Sequence, residues 1–190
     1  MKIVRFQDKR MEMGLENSLR DVEDKLKENS GIYKIAIKDG KWCEKILDIL
    51  GGRSNLWSSC EDINFIDLYG ENFEGIHGTV LYVGQAKGED NLYQRYKQHS
   101  KGNEDNSTFS KTLKAVLGED YKKALNSCYF CYYPFDEDVL DDIEKKEINK
   151  RFRPFNIQNN TYKTDDKDRQ EKIDFAKNKI KELRGALKDE

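Results

Sequence analysis

The chain has 190 residues, 36% of them hydrophobic and 37% charged, with a formal net charge of −2. That length accommodates one domain with a real core plus helical extensions, and no apolar run approaches the roughly 18 residues that span a bilayer. The near-neutral balance excludes a chain that is basic throughout, so a nucleic-acid contact would need a local basic face. The start Met1-Lys2-Ile3-Val4-Arg5 lacks the apolar stretch of a signal peptide, so the expectation is a cytoplasmic protein with no membrane partner.

Residues 11–29 carry Leu15, Leu19, Val22 and Leu26 at spacings of four, three and four, which predicts an amphipathic helix ending near Asn29-Ser30-Gly31. A strand is expected over about 31–37, where Tyr33, Ile35 and Ile37 alternate, and a turn at Asp39-Gly40. Residues 41–77 read as an insertion. Within it, 45–50 suggest a short helix closed by Gly51-Gly52, and Phe65, Ile66, Leu68, Tyr69 and Phe73 suggest a segment packed on the body. A second strand is expected over 79–85. Residues 91–100 read as a helix capped by Asn91, 103–106 as a loop, and 107–117 as a helix closed by Gly118. A third strand over 127–133 stops at Pro134. Residues 136–152 predict a helix with acids in its first turn and Lys150, Arg151 and Arg153 at its end, the sense that the helix dipole favours, and Pro154 ends it. Residues 165–188 carry Ile173, Ala176, Ile180, Leu183 and Leu187 at three-four spacing. This is another amphipathic helix, read as packing on the domain in preference to a coiled-coil or dimer contact.

Two further features have plain readings. Cys128-x-x-Cys131 has metal-ligand spacing, but it lies in a strand-like run whose period of two sends the thiols to opposite faces. Cys43 and Cys60 are not closely spaced, so packing is expected of all four cysteines in preference to a zinc site. Between 145 and 163, Lys145, Lys146, Lys150, Arg151, Arg153 and Lys163 face the single acid Glu147. A solvated helix face explains this run as well as a phosphate contact does.

Chemistry is concentrated elsewhere. Gly31-Ile32-Tyr33 and Tyr82-Val83-Gly84 each place a tyrosine close to a glycine in a strand. Paired side by side, they would bring two phenols to a site that backbone can approach closely. Arg95 and His99, four apart, share one helix face, with Leu92 and Tyr96 to anchor it. Glu144 is embedded in the apolar stripe of Leu140 and Ile148. A carboxylate there is uncommon unless paired or bound to a metal, and an ion pair with an arginine such as Arg95 is the structural alternative. Asn156 follows the Pro154 stop, where an amide can fix a loop or orient a ligand.

Together with Leu92-x-x-Arg95-x-x-x-His99, Ile143-Glu144-x-x-Glu147-Ile148 and Arg153-Pro154-Phe155-Asn156, the two tripeptides form an ordered set that resembles the GIY-YIG nuclease family over about residues 31–160. Such a resemblance implies an α+β fold with a small central three-stranded, mostly antiparallel sheet flanked by helices. Residues 1–30 would form an N-terminal helical extension, 31–160 the nuclease domain with its insertion 41–77, and 161–190 a C-terminal helix. It implies a metal-dependent endonuclease that hydrolyses DNA phosphodiesters. In that reading Glu144 holds one Mg²⁺ or Mn²⁺, Arg95 clamps the phosphate and Tyr33 is the general base. Tyr82 and His99 assist by hydrogen bonding or relay, Asn156 positions a loop or a phosphate, and Lys97, Lys101 and Lys111 contact the DNA backbone.

The sequence departs from the family in three places. Valine replaces the frequent isoleucine of the second tripeptide. The gap from Tyr33 to Tyr82 is long, which leaves the pairing register of the two strands open. One residue fewer lies between Pro154 and Asn156 and one more between Glu144 and Pro154, which implies a rearranged helix end. The competing readings are a catalytically silent nucleic-acid-binding module and an interaction protein built on the terminal helices. As a nuclease, the protein would act as a monomer or homodimer, as a site-specific restriction enzyme or in repair or a mobile element. Trp42, Arg53, Asn55 and Trp57 of the insertion are the candidates for target recognition.

Overall fold

A computed structural model describes residues 2–5, 26–38, 40–52, 56–64, 77–102, 107–157 and 160–187. Its strands are β1 (Lys2–Arg5), β2 (Gly31–Lys38), β3 (Asp62–Asn64), β4 (His77–Ala86) and β5 (Cys128–Pro134). They form one antiparallel sheet in the order β1-β5-β2-β4-β3. The three strands expected from the sequence are its centre, and β1 and β3 extend it on either side. Each of these additions is four residues or fewer, too short for alternation to show.

The helices are α1 (Lys41–Ile49), α2 (Leu92–Ser100), α3 (Thr108–Leu117), α4 (Tyr121–Leu125), α5 (Leu140–Lys150) and α6 (Lys167–Ala186). Local chemistry sets several of their ends. Asn91 Oδ1 accepts the Gln94 amide at 3.1 Å, and Ser107 Oγ accepts the Ser110 amide at 3.0 Å. Gly118 closes α3 at φ +58°, a conformation that costs glycine nothing. The acidic helix is shorter than its sequence pattern. A 3₁₀ turn, Glu137–Val139, occupies its first turn, and Arg151 is already extended at its end. The five-residue α4 was not legible, since it spans little more than one helical turn.

β2 explains the layering. Ile32 through Ile37 are all buried, so the strand is covered on both faces. Tyr33, Ile35 and Ile37 join the larger core, which is completed by residues of α1, α2, α3, α4 and α6. Ile32 and Ala36 join a second core with Val80, Val83, Leu140 and Ile148, where α5 packs on the opposite face. Cys128 belongs to the first core and Cys131 to the second, as the period of two requires. The stripe of Ile173, Ala176 and Ile180 on α6 is buried in the larger core, with α6 against α3.

The pairing settles the register. Tyr33 faces Gly84 and Ile35 faces Tyr82, but Ala36 faces Val80. Leu81 is therefore an extra residue in β4, and this bulge turns Leu81 and Tyr82 toward the same layer as Tyr33.

Of the helix expected over 11–29, Leu26 is described and lies buried in the larger core. Leu15, Leu19 and Val22 lie outside the described residues, as do Asp39, Arg53, Asn55, the segment with Phe65, Ile66, Leu68, Tyr69 and Phe73, and the loop 103–106. Trp42 packs partly against the larger core, with Lys41 and Lys45 over its ring. Among the described residues no helix is long and apolar enough to cross a membrane.

Candidate active site

Both tripeptide glycines have a steric reason. A Cβ on Gly31 would strike the Tyr133 carbonyl of β5. A Cβ on Gly84 would lie 2.5 Å from Tyr33 Cζ and 3.0 Å from Tyr82 Cε1. Gly84 therefore leaves room for the Tyr33 ring to lie across β4. That ring stacks on Phe130 with centroids 4.8 Å apart, and the Tyr82 ring lies 6.2 Å away on the same side. Each hydroxyl lies close enough to the other to shift its titration, and Tyr82 adds to the rise of the Tyr33 phenol. Tyr33 is fully buried, whereas Tyr82 is half-buried and nearer to solvent.

α2 lays His99 against this pair. Its Nε2 is 2.9 Å from Tyr33 Oη, and its Nδ1 is 2.7 Å from Ser107 Oγ at the start of α3. The imidazole is buried and edge-on to Phe109. Burial, then the charge of Arg95, pushes its pKa down to about 3, so it is neutral at physiological pH. Arg95, one turn earlier, is held by Gln98 Oε1 and Asp90 Oδ2, each at 3.0 Å. Its partner is thus Asp90, and the ion pair with Glu144 that the sequence left open does not form. The Asp90 pair is exposed enough to contribute only about 0–1 kcal/mol.

Glu144 reaches the same edge from α5. It accepts the backbone N–H of Gln85, two residues past the midpoint of Tyr82-Val83-Gly84. Burial and the neighbouring Asp141 raise its carboxyl above the ordinary range, against opposing pulls from that N–H, Lys87 and Arg95. Among the described residues no cation closes on it. Glu147, one turn on, is different. Lys34 Nζ sits 2.8 Å from Glu147 and 2.9 Å from Glu61, and Arg153 pairs with Glu61. This buried knot joins β2, the insertion, α5 and the loop after it, and so sets how α5 presents Glu144 to the sheet edge. Arg153 is fully buried, which removes it from the basic run as a phosphate contact.

Burial raises both phenols, most for Tyr33. Glu144 raises each of them and Arg95 lowers each. Tyr33, Tyr82, Arg95, His99 and Glu144 thus share one electrostatic site, although they come from two strands and two helices. Asn156 lies behind it. Its Oδ1 accepts the Val83 amide at 2.8 Å and its Nδ2 donates to the Val83 carbonyl at 2.7 Å. This buried amide clips the loop after α5 to the middle of the second tripeptide. Lys97 and Lys101 follow Tyr93 at four-residue spacing, with Lys97 Nζ 5.1 Å from the Tyr93 ring, and Lys111 is half-buried on α3.

Three groups escaped the sequence reading. The Gln85 contribution is backbone and has no signature. Arg184 of α6 feels Tyr82, and only the docking of a distant helix brings it there. Ser107 stood at the start of an expected helix, but nothing marked it as that helix's cap or as the partner of a histidine eight residues earlier.

One carboxylate in a half-dry, polar edge suits a hard cation that keeps most of its waters and takes phosphate oxygens for other ligands. Among the described residues no cluster of three or more His, Cys, Asp or Glu forms a closed cage. Glu144 fits such a cation, because its charge is opposed at longer range but not closed by an ion pair.

The family model described as GIY-YIG catalytic domain matches residues 31–127, just over half of the chain. Searches of curated proteins and of solved structures find no significant match. The matched span holds both tripeptides, Arg95, His99 and Ser107. Glu144 and Asn156 lie beyond it, and their contacts with Gln85 and Val83 tie them to it. With its two tripeptides in register on adjacent strands inside that match, the chain belongs to the family of GIY-YIG catalytic domains.

Proposed function

We propose that the protein is a metal-dependent endonuclease that hydrolyses DNA phosphodiester bonds. The observation that carries this reading is the convergence of two phenols, a guanidinium, a neutral imidazole and an unclosed carboxylate at one sheet edge.

Each residue has a role that its surroundings support. The guanidinium of Arg95 exchanges the weak Asp90 pair for a phosphate, which offers bidentate, charge-assisted contacts. There it stabilises charge that develops in the transition state. The pair Tyr33–Tyr82 acts as a base only after one of its two protons has passed to solvent through Tyr82, the hydroxyl nearer to solvent; the phenolate left behind, with Tyr33 held by His99, then takes the proton of the attacking water. Glu144 would hold Mg²⁺ or Mn²⁺, which supplies Lewis-acid polarisation of the phosphate when bound. Neutralising the Glu144 charge removes one of the influences that hold both phenols protonated. Asn156 positions the Tyr82-Val83-Gly84 strand. Lys97, Lys101 and Lys111 are proposed as contacts to the DNA backbone, each contributing to a salt-dependent affinity.

A plasmid-nicking assay with Mg²⁺ tests the reading. Tyr33→Phe and Glu144→Ala are each expected to abolish nicking while DNA binding survives. Undiminished nicking by either variant overturns the assignment, and a wild-type protein that binds DNA without cutting it favours the silent module. Sequencing the ends of a digested mixed DNA pool separates a site-specific enzyme, which gives a fixed motif, from a repair or mobile-element nuclease.

A further inference from the structure

The hydroxyl of Ser107 is buried and has two partners among the described residues. Its oxygen accepts the Ser110 amide at 3.0 Å, which caps α3, and it lies 2.7 Å from His99 Nδ1. A hydroxyl carries one proton. If His99 Nδ1 donated to Ser107, that proton would be left buried without an acceptor among the described residues, the costlier arrangement. If Ser107 donates to Nδ1, every group is satisfied. His99 then carries its own proton on Nε2, and Nε2–H donates to Tyr33 Oη at 2.9 Å. Tyr33 Oη, accepting from Nε2–H, keeps its own proton to offer to the neighbouring Tyr82 hydroxyl, which continues the same sense. All donors then point from the N-terminus of α3 toward the half-buried phenol.

We propose that Ser107 is a positioning residue of the nuclease site: by donating to His99 Nδ1 it fixes the Nε2–H tautomer and so aims the chain Ser107–His99–Tyr33–Tyr82 outward. A third group that orients a catalytic imidazole is a general device, and here a helix cap supplies it. Capping anchors the Ser107 oxygen, because one of its lone pairs is committed to the helix. The buried imidazole is neutral, so it has a single ring proton whose position matters. This inference rests on the proposal that the phenol pair takes the proton of water.

The test compares Ser107→Asp and Ser107→Thr in the full chain. Aspartate caps a helix as well as serine does, but a carboxylate has no proton to give, so His99 Nδ1 must become the donor. Threonine keeps the hydroxyl. The ¹⁵N spectrum of the imidazoles reads the tautomer directly. The chain has two histidines, and His77→Gln identifies the signals of His99. The expected wild-type spectrum shows Nδ1 unprotonated and Nε2 protonated. Ser107→Asp is expected to protonate Nδ1 and to lower the nicking rate constant about 100-fold with the KM for DNA unchanged. Ser107→Thr is expected to restore the wild-type spectrum. A wild-type Nδ1–H, or Ser107→Asp nicking at the wild-type rate, overturns the proposal. If the wild type does not nick DNA, the nuclease reading fails, and the ring spectrum still decides whether Ser107 sets the tautomer.

Discussion

Gly84→Ala probes the account at its tightest point. The added Cβ would sit 2.5 Å from Tyr33 Cζ, where ordinary contact begins near 3.4 Å. The ring must therefore retreat by about 1 Å, a displacement that costs a reacting group about 100-fold in rate. Tyr33 has little room to absorb it, because Phe130 stacks on one side and His99 Nε2 is 2.9 Å from its hydroxyl. Overpacking of this kind costs about 1–3 kcal/mol of stability, which lowers Tm by several degrees and leaves the protein folded. Nicking of supercoiled plasmid, with thermal unfolding measured alongside, gives both quantities. Gly185→Ala is the control. No atom lies within 4 Å of its added Cβ and it falls inside α6, so it should hold or raise stability and leave nicking unchanged. A folded Gly84→Ala protein that nicks at the wild-type rate refutes the claim that Gly84 is there to seat the Tyr33 phenol.

The other predictions concern the supports of the site. Glu61→Ala leaves Arg153 buried without its carboxylate and should cost about 3 kcal/mol, since breaking a buried pair strands a charge; an unchanged urea midpoint contradicts this. Asn156→Ala removes both contacts to Val83 and should cost about 1–3 kcal/mol, with faster hydrogen exchange at the Val83 amide; retained protection there contradicts it. Burial pushes the Glu147 carboxyl up, but the hydrogen bond and charge of Lys34, with Lys150 and Arg153, outweigh it and hold the group below its ordinary value. Its contribution to stability is therefore present above the unfolded pKa and lost as pH falls through the folded one. Glu147→Gln should flatten the acid limb of the stability curve, and an unaltered limb contradicts the pairing.

The parts of the fold that declared themselves in the sequence are those whose signal is local. Asn91 caps a helix through its own side chain, Gly118 ends one through its backbone, and β2 alternates between two faces. β1, β3 and α4 were not legible, because each is too short to show a period. The residue set of the candidate site was legible through its order along the chain. Its geometry was not, because the Leu81 bulge and the Lys34–Glu61–Glu147–Arg153 knot arise only when distant segments meet. Glu144 and Glu147 show the limit most plainly. One turn apart on the same helix, they differ only in what packs against them. Lys34 closes one, and the other is left facing the phenols.

In the proposed function this site cuts DNA with the help of a divalent cation. The most direct measurement is nicking of supercoiled plasmid by the purified wild-type chain with Mg²⁺, with Mn²⁺ and with excess EDTA. Nicked and linear products are expected with either cation and none in EDTA, with activity restored when Mg²⁺ is returned. Intact plasmid with both cations, or cleavage that persists in EDTA, contradicts it.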